Sequence, residues 1–102
     1  MPLESYRIWL GRGFRLVVTF VQVRGNIVSF AVVLVAPTSA GERDIARYDT
    51  AHGTPHRDLL GLRKGLHRKD WFPTVTANEV FSAAIADFKA NHENYLSLFE
   101  KN

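Results

Sequence analysis

Phe14, Leu16, Val18 and Phe20 fall on one side of an extended segment and Arg15, Val17, Thr19, Val21 and Val23 on the other. That period of two predicts a strand over residues 14–23. Arg24-Gly25-Asn26 interrupts it as hairpin punctuation, and a second strand follows over Ile27 to Ala36. There Val28, Phe30, Val32 and Leu34 oppose Ile27, Ala31, Val33 and Val35, so both strands are apolar on two faces. Ahead of them Tyr6, Ile8 and Leu10 alternate before Gly11-Arg12-Gly13, which predicts a short edge strand within residues 1–13. Beyond the break at Pro37 to Gly41, Glu42 to Tyr48 predicts a third, more polar strand, with Ile45 on one face and Ala46 and Tyr48 on the other. Gly61 and Gly65 interrupt Leu59, Leu60, Leu62 and Leu66, so residues 59–72 read as a loop leading to a short strand around Leu66 to Phe72, stopped by Pro73.

After that proline the period changes. Val80, Phe81, Ala84, Ile85, Phe88, His92, Tyr95, Leu96 and Phe99 recur at three and four, the stripe of an amphipathic helix running to about Glu100. Thr76-Ala-Asn-Glu79 supplies its capping box, and Val75 and Val80 are spaced as a hydrophobic staple. The expected fold is one α+β domain over residues 1–102: a small antiparallel β-sheet of three to five strands, in meander order, with one long C-terminal helix (77–100) packed across one face. One helix covers one face only, while the central strands offer Val, Ile, Phe and Leu to both. The second face therefore points to a homodimer or another protein partner.

Composition narrows the function. A chain of 102 residues without cysteine has no disulfide, no thiolate metal site and no cysteine nucleophile. The longest apolar run, Ile27 to Ala36, is ten residues interrupted by Ser29, half of what a membrane-spanning helix needs. The opening Met-Pro-Leu-Glu-Ser-Tyr lacks the character of an export signal, and a cytoplasmic protein without a membrane partner is the expectation. The net charge of +3 is uneven: Arg57, Arg63, Lys64, Arg68 and Lys69 stand against Asp58 alone in residues 57–69, whereas residues 77–102 are acidic on balance.

The candidate chemistry lies beside that basic run, in Tyr48-Asp-Thr-Ala-His-Gly-Thr-Pro-His-Arg-Asp58. Gly53 and Pro55 exclude a regular helix between His52 and His56, which suits a turn that aims both rings at one point. Cleavage of RNA needs a base for the 2′-hydroxyl, an acid for the leaving 5′-oxygen and cations for the phosphorane charge. Imidazole titrates near 6.5 when unperturbed, so two histidines can share those tasks. In this reading His52 and His56 are the acid–base pair, Arg57 clamps the phosphate, Asp49 or Asp58 orients a ring, and Arg63, Lys64, Arg68 and Lys69 hold the flanking backbone. No cofactor and no metal is called for. A rival reading makes His52, His56 and one aspartate a metal site, although the spacing matches no specific pattern. In a third, the stretch is a structural turn in which Asp49 or Asp58 caps backbone amides or pairs with Arg47 or Arg57. His67 reads as a solvated member of the basic run and His92 as a helix-face residue. Trp71, beside Arg68 and Lys69, is core or a base-stacking platform.

Arg47-Tyr-Asp-Thr-Ala-His52 followed by Pro55-His-Arg-Asp58, between a β-hairpin and a C-terminal helix, resembles the small TumE-type toxins of prokaryotic toxin–antitoxin pairs. The resemblance rests on Arg47, Tyr48, Asp49, Ala51, Pro55 and His56. It departs at Thr50, where that pattern has asparagine, and at Arg57-Asp58, where it continues with histidine. It implies a growth-inhibiting protein acting on RNA, with an antitoxin as the apolar partner. The expected function is a toxin-like ribonuclease; the alternative is a noncatalytic accessory or antitoxin-like module working through its apolar sheet face.

Overall fold

Turn chemistry and two-residue periodicity together lay down the first three quarters of the chain as a meander. The computed structural model describes residues 2–102; Met1, at the head of the segment read as an edge strand, lies outside the described residues. Strands β1 (Leu3–Gly11), β2 (Phe14–Val23), β3 (Asn26–Thr38), β4 (Gly41–Asp49), β5 (His56–Gly61) and β6 (Gly65–Trp71) precede helix α1 (Ala77–Lys101). The strands form one antiparallel sheet in sequence order. Arg24 and Gly25 take φ of 51° and 82°, the left-handed pair that a two-residue hairpin turn requires.

The sheet has six strands where the sequence pattern predicts three to five. The additional strand is β5, since β6 lies where the short strand around Leu66 to Phe72 was expected. Gly61 and Gly65 do not break a period there; they bracket the turn of a hairpin, pairing with each other across it. The Tyr48–Asp58 stretch is accordingly not one turn. Its ends belong to β4 and β5, and only residues 50–55 connect them.

Helix α1 packs over β3 and β4 and reaches β5 and β2. Its Val80, Ala84, Phe88, Tyr95 and Phe99 are buried against Phe14, Leu16, Val18, Phe30, Val32 and Leu34. Burial of each such side chain removes apolar surface worth about 1.5–3 kcal/mol from water, which makes this layer the main source of stability. Thr76 Oγ1 accepts from the Glu79 amide at 3.2 Å, and the Thr76 hydroxyl donates to Glu79 Oε1 at 2.9 Å, so the capping glutamate returns to the threonine side chain. At the far end the amides of Arg63 and Lys64 donate to the Asn102 carbonyl at 3.2 and 3.0 Å, seating the helix terminus in the β5–β6 turn.

The opposite face has no helix over it. Val17, Thr19, Val21, Ala31 and Val33 lie there half-buried, shielded chiefly by their cross-strand neighbours. Val28, half-exposed, is skipped by the β2–β3 register shift and stands out as a bulge residue.

Candidate functional site

Period-two geometry divides the histidine stretch between the two faces of the sheet. Arg47 pairs with Asp58, Tyr48 with Arg57 and Asp49 with His56; the next strand sets Trp71 opposite His56 and Lys69 opposite Asp58. Arg47, Asp49, His56, Asp58, Lys69 and Trp71 therefore share the helix-free face. Tyr48, Arg57, Arg68 and Asp70 share the face beneath α1.

The helix-free face holds an ion cluster. His56 Nε2 lies 3.0 Å from Asp49 Oδ1 and 3.8 Å from Asp58 Oδ2. Arg47 Nε donates to Asp58 Oδ2 at 2.9 Å and lies 3.5 Å from Asp49 Oδ2, while Lys69 Nζ lies 2.9 Å from Asp58 Oδ1. His56 and Asp58 are each 1% exposed, so the centre is closed, but the Arg47 and Lys69 side chains are 40% and 27% exposed and form its solvent rim. Burial works against the Asp58 charge, yet the Lys69 and Arg47 partners outweigh it and hold the carboxyl below its ordinary range. The Trp71 ring lies over this centre, 4.8 Å from the His56 ring, with the Lys69 ammonium 5.2 Å from its own centroid.

Both nitrogens of His56 are engaged. Nδ1 is 3.1 Å from the Thr54 carbonyl and Nε2 is 3.0 Å from the Asp49 carboxylate. Asp49 Oδ1 also accepts from the Ala51 amide at 2.8 Å, so the carboxylate caps the start of the connection while bracing the histidine at its end. The Thr50 hydroxyl accepts from the Phe30 amide at 3.0 Å and ties the same connection to β3.

His52 stands apart from this centre: it is exposed, on a left-handed backbone of φ 68° next to Gly53 at 90°. The structure thus does not bring His52 and His56 together as two open rings beside a cleft. The expectation of a shared turn assumed that the chain after the strand ending at Tyr48 was loop as far as Asp58, whereas strand pairing draws His56 into the sheet and leaves His52 outside. The metal reading changes likewise. The ligand atoms of Asp49, His56 and Asp58 lie within 4.8 Å of one another, without His52, but Arg47 and Lys69 already occupy the carboxylates as counter-charges.

Arg57, expected as the phosphate clamp, faces the other way. It donates through Nε and Nη2 to Asp70 Oδ2 at 3.1 and 2.6 Å and through Nη1 to the Tyr95 hydroxyl at 3.0 Å. The Tyr95 and Tyr48 hydroxyls both donate to Asp87 Oδ2, Tyr48 at 2.7 Å, and Asn91 donates to Asp87 Oδ1 at 2.8 Å. Burial, followed by the bond to Asp87, pushes both tyrosines above their ordinary range. A groove of about 250 Å³ runs beside this network, between Arg57, Leu59 and Arg68 of the sheet and Asn91, Asn94 and Leu98 of α1.

The basic run is also less free than its composition implies. Arg68 Nε donates to Asp70 Oδ1 at 2.8 Å and Lys69 is taken by Asp58, while Arg63 and Lys64 stand exposed at the β5–β6 turn. His67 is half-buried at a bulge, its Nδ1 without a partner, and His92 Nδ1 faces the Phe88 and Lys89 carbonyls at 3.2 and 3.1 Å. Sequence reasoning gave Asp70, Asp87 and Tyr95 no place in the site. The i, i+2 spacing of Arg47 with Asp49, and of His56 with Asp58, was the available signal for one face of paired strands.

Residues 1–102 match the family described as a domain of unknown function, DUF7718, and the chain belongs to that family. No curated protein and no solved structure matches it. No helix among the described residues is long and apolar enough to cross a membrane.

Proposed function

We propose that this chain is a toxin-like ribonuclease of a prokaryotic toxin–antitoxin pair, acting in the cytoplasm, with the ion cluster of β4, β5 and β6 as its working centre. The observation that carries the reading is the convergence of Arg47, Asp49, His56 and Asp58, from the stretch that resembles the TumE-type pattern, with Lys69 on one sheet face. A buried ionic network of this kind is a poor source of stability and a frequent feature of working sites. Arg47 and Lys69, the two members that reach solvent, are the phosphate contacts, and Trp71 is the platform for a base. A phosphate that draws both cations away from Asp58 leaves His56 with its two carboxylates as the acid–base group nearest the strand. His52 stands outside the cluster, and to serve as the second imidazole it must be swung toward the bound phosphate by a rearrangement of the 50–55 connection. The chemistry is proton transfer to and from the 2′- and 5′-oxygens, with the cations carrying the phosphorane charge.

A second reading is favoured by one specific observation: His56 is buried with both nitrogens occupied. In that reading the cluster braces the 50–55 connection, and the chain is a noncatalytic interaction module working through the open face at Val17, Val21 and Val33. Induction in a bacterial host separates the two. The ribonuclease reading expects growth arrest, cleavage of single-stranded RNA by the purified protein in the presence of chelator, and loss of both in His52→Ala and Lys69→Gln with circular dichroism unchanged. Normal growth and intact RNA under wild-type induction favour the module instead.

A further inference from the structure

The two open edges of the sheet are guarded very differently. β6 is seven residues long, is interrupted by the bulge at His67 and carries Arg68, Lys69 and Asp70, the charge and irregularity by which edges ordinarily resist pairing. β1 is nine residues long and pairs with β2 without a break from Leu3 to Trp9. Its Leu3 and Trp9 are 68% and 69% exposed, the highest values of any large apolar side chain among the described residues, and Tyr6 between them is 41% exposed. A long, regular edge with apolar side chains on show is a pairing surface.

We infer that β1 pairs antiparallel with β1 of a second copy of this chain, about a two-fold axis at Tyr6, joining the two sheets into one. Symmetry restricts the choice of register. A two-fold axis that reverses strand direction stands perpendicular to the sheet and preserves its faces, so a residue can oppose only residues on its own face. Leu3, Ser5, Arg7 and Trp9 lie on the helix-free face, opposite Val21, Thr19, Val17 and Arg15 of β2; Glu4, Tyr6 and Ile8 lie on the other. With the axis at Tyr6, Leu3 opposes Trp9 of the second copy at both ends of the seam, Ser5 opposes Arg7, Glu4 opposes Ile8, and the two Tyr6 rings meet at the centre. Moving the axis to Arg7 sets two guanidinium groups directly opposite each other. Moving it to Ser5 puts Leu3 against Arg7 and sets Trp9 opposite position 1, which precedes β1. The Tyr6 register alone of these three covers both Leu3 and Trp9 with apolar surface and keeps like charges from direct opposition.

The size is adequate for association. Two copies each of Leu3, Tyr6 and Trp9, with the strand backbone between them, bury on the order of 1,000 Å² in total, the lower end of specific interfaces. A micromolar dimer is the expectation. Because β1 lies at the sheet edge remote from β4, β5 and β6, the dimer leaves the ion cluster of both copies uncovered. The inference stands apart from the ribonuclease reading.

The absence of cysteine from the chain gives site-specific cross-linking no background. Opposed Cα atoms in an antiparallel pair are about 4.5–5.5 Å apart, within the span a disulfide bridges. Oxidised full-length Tyr6→Cys is expected to run as a cross-linked dimer. Leu3→Cys and Trp9→Cys are each expected to stay uncross-linked alone and to cross-link when mixed. In sedimentation velocity at about 100 μM the wild-type chain should be dimeric, and Leu3→Lys/Trp9→Lys should be at least tenfold weaker with unchanged circular dichroism, on the scale of losing buried apolar anchors. A wild-type monomer at that concentration overturns the inference. So does a dimer in which Tyr6→Cys fails to cross-link, or one that survives the double lysine change or cross-links instead through Lys69→Cys on β6.

Discussion

Lys69→Met tests whether the ion cluster is coupled in the folded chain. Methionine keeps much of the apolar stem and removes the ammonium, so packing near Trp71 is largely preserved while Asp58 Oδ1 loses a cation at 2.9 Å. Asp58 is almost fully buried and retains Arg47 at 2.9 Å on its other oxygen. A buried charged acceptor left half-paired costs about 1–3 kcal/mol, and the surviving arginine places the expected loss near the middle, about 2 kcal/mol. For a domain of this size that is a drop in Tm of roughly 8–10 °C at pH 7. The pH dependence carries the sharper test. A carboxyl held below its ordinary value adds stability that is present above about pH 4, its unfolded range, and is lost as pH falls through its folded value. Removing Lys69 weakens that depression, so the wild-type and variant Tm curves should converge on acidification. The measurement is thermal unfolding followed by circular dichroism from pH 7 to pH 2.5. A Tm change under about 2 °C at pH 7, or a difference that does not shrink with acid, refutes a coupled cluster.

Three further outcomes follow from other contacts. A Cβ at Gly61 meets the Asn102 backbone carbon and oxygen at 2.8 Å each, so Gly61→Ala should unseat the helix terminus and cost about 1–3 kcal/mol; amide exchange at Arg63 and Lys64 should accelerate. Tyr95→Phe removes the hydroxyl between Arg57 and Asp87 and should cost about 1–2 kcal/mol in urea unfolding, since Arg57 keeps Asp70 and Asp87 keeps Tyr48 and Asn91. Because the folded Tyr48 and Tyr95 titrate above the free phenol, their contribution is intact below about pH 10 and is lost as pH rises through the folded values; Tyr95→Phe should therefore reduce the wild-type loss of stability in alkali.

The elements that sequence made legible are those whose burial pattern is set by one neighbour. β2 lies beneath α1, and α1 has only the sheet to meet, so a period of two and a period of 3.6 describe them with little ambiguity. β6 was legible as the short strand around Leu66 to Phe72, but β5 was illegible for the opposite reason. Its side chains answer to the helix-side network on one face and the ion cluster on the other, and both partners are polar. His56 and Asp58 alternate with Arg57 along β5, so neither face there shows the apolar rhythm by which strands are recognised.

The same fact explains the misplaced histidine. Gly53 and Pro55 do mark a turn, but a turn of six residues, and Pro55 is its last member. The Phe72 amide donates to the Pro55 carbonyl at 2.9 Å, extending the β5–β6 pairing one step past Trp71. His56 is thus the first residue of a strand that is already paired on both sides, with Asp49 before it and Trp71 after it. Its ring points to the helix-free face but is covered there by Trp71 and the neighbouring side chains, so its nitrogens must find partners inside the cluster. It finds them in the Thr54 carbonyl and Asp49, which fixes the ring and closes the connection. Arg47, Asp49, His56 and Asp58 could be assembled from residue types alone, but their common face could not, because it depends on a register that the polar pattern conceals. Any chemistry of His56 must then begin with displacement of a partner it already has, which makes the cations on Asp58, more than the imidazole itself, the place where a ligand would first be felt.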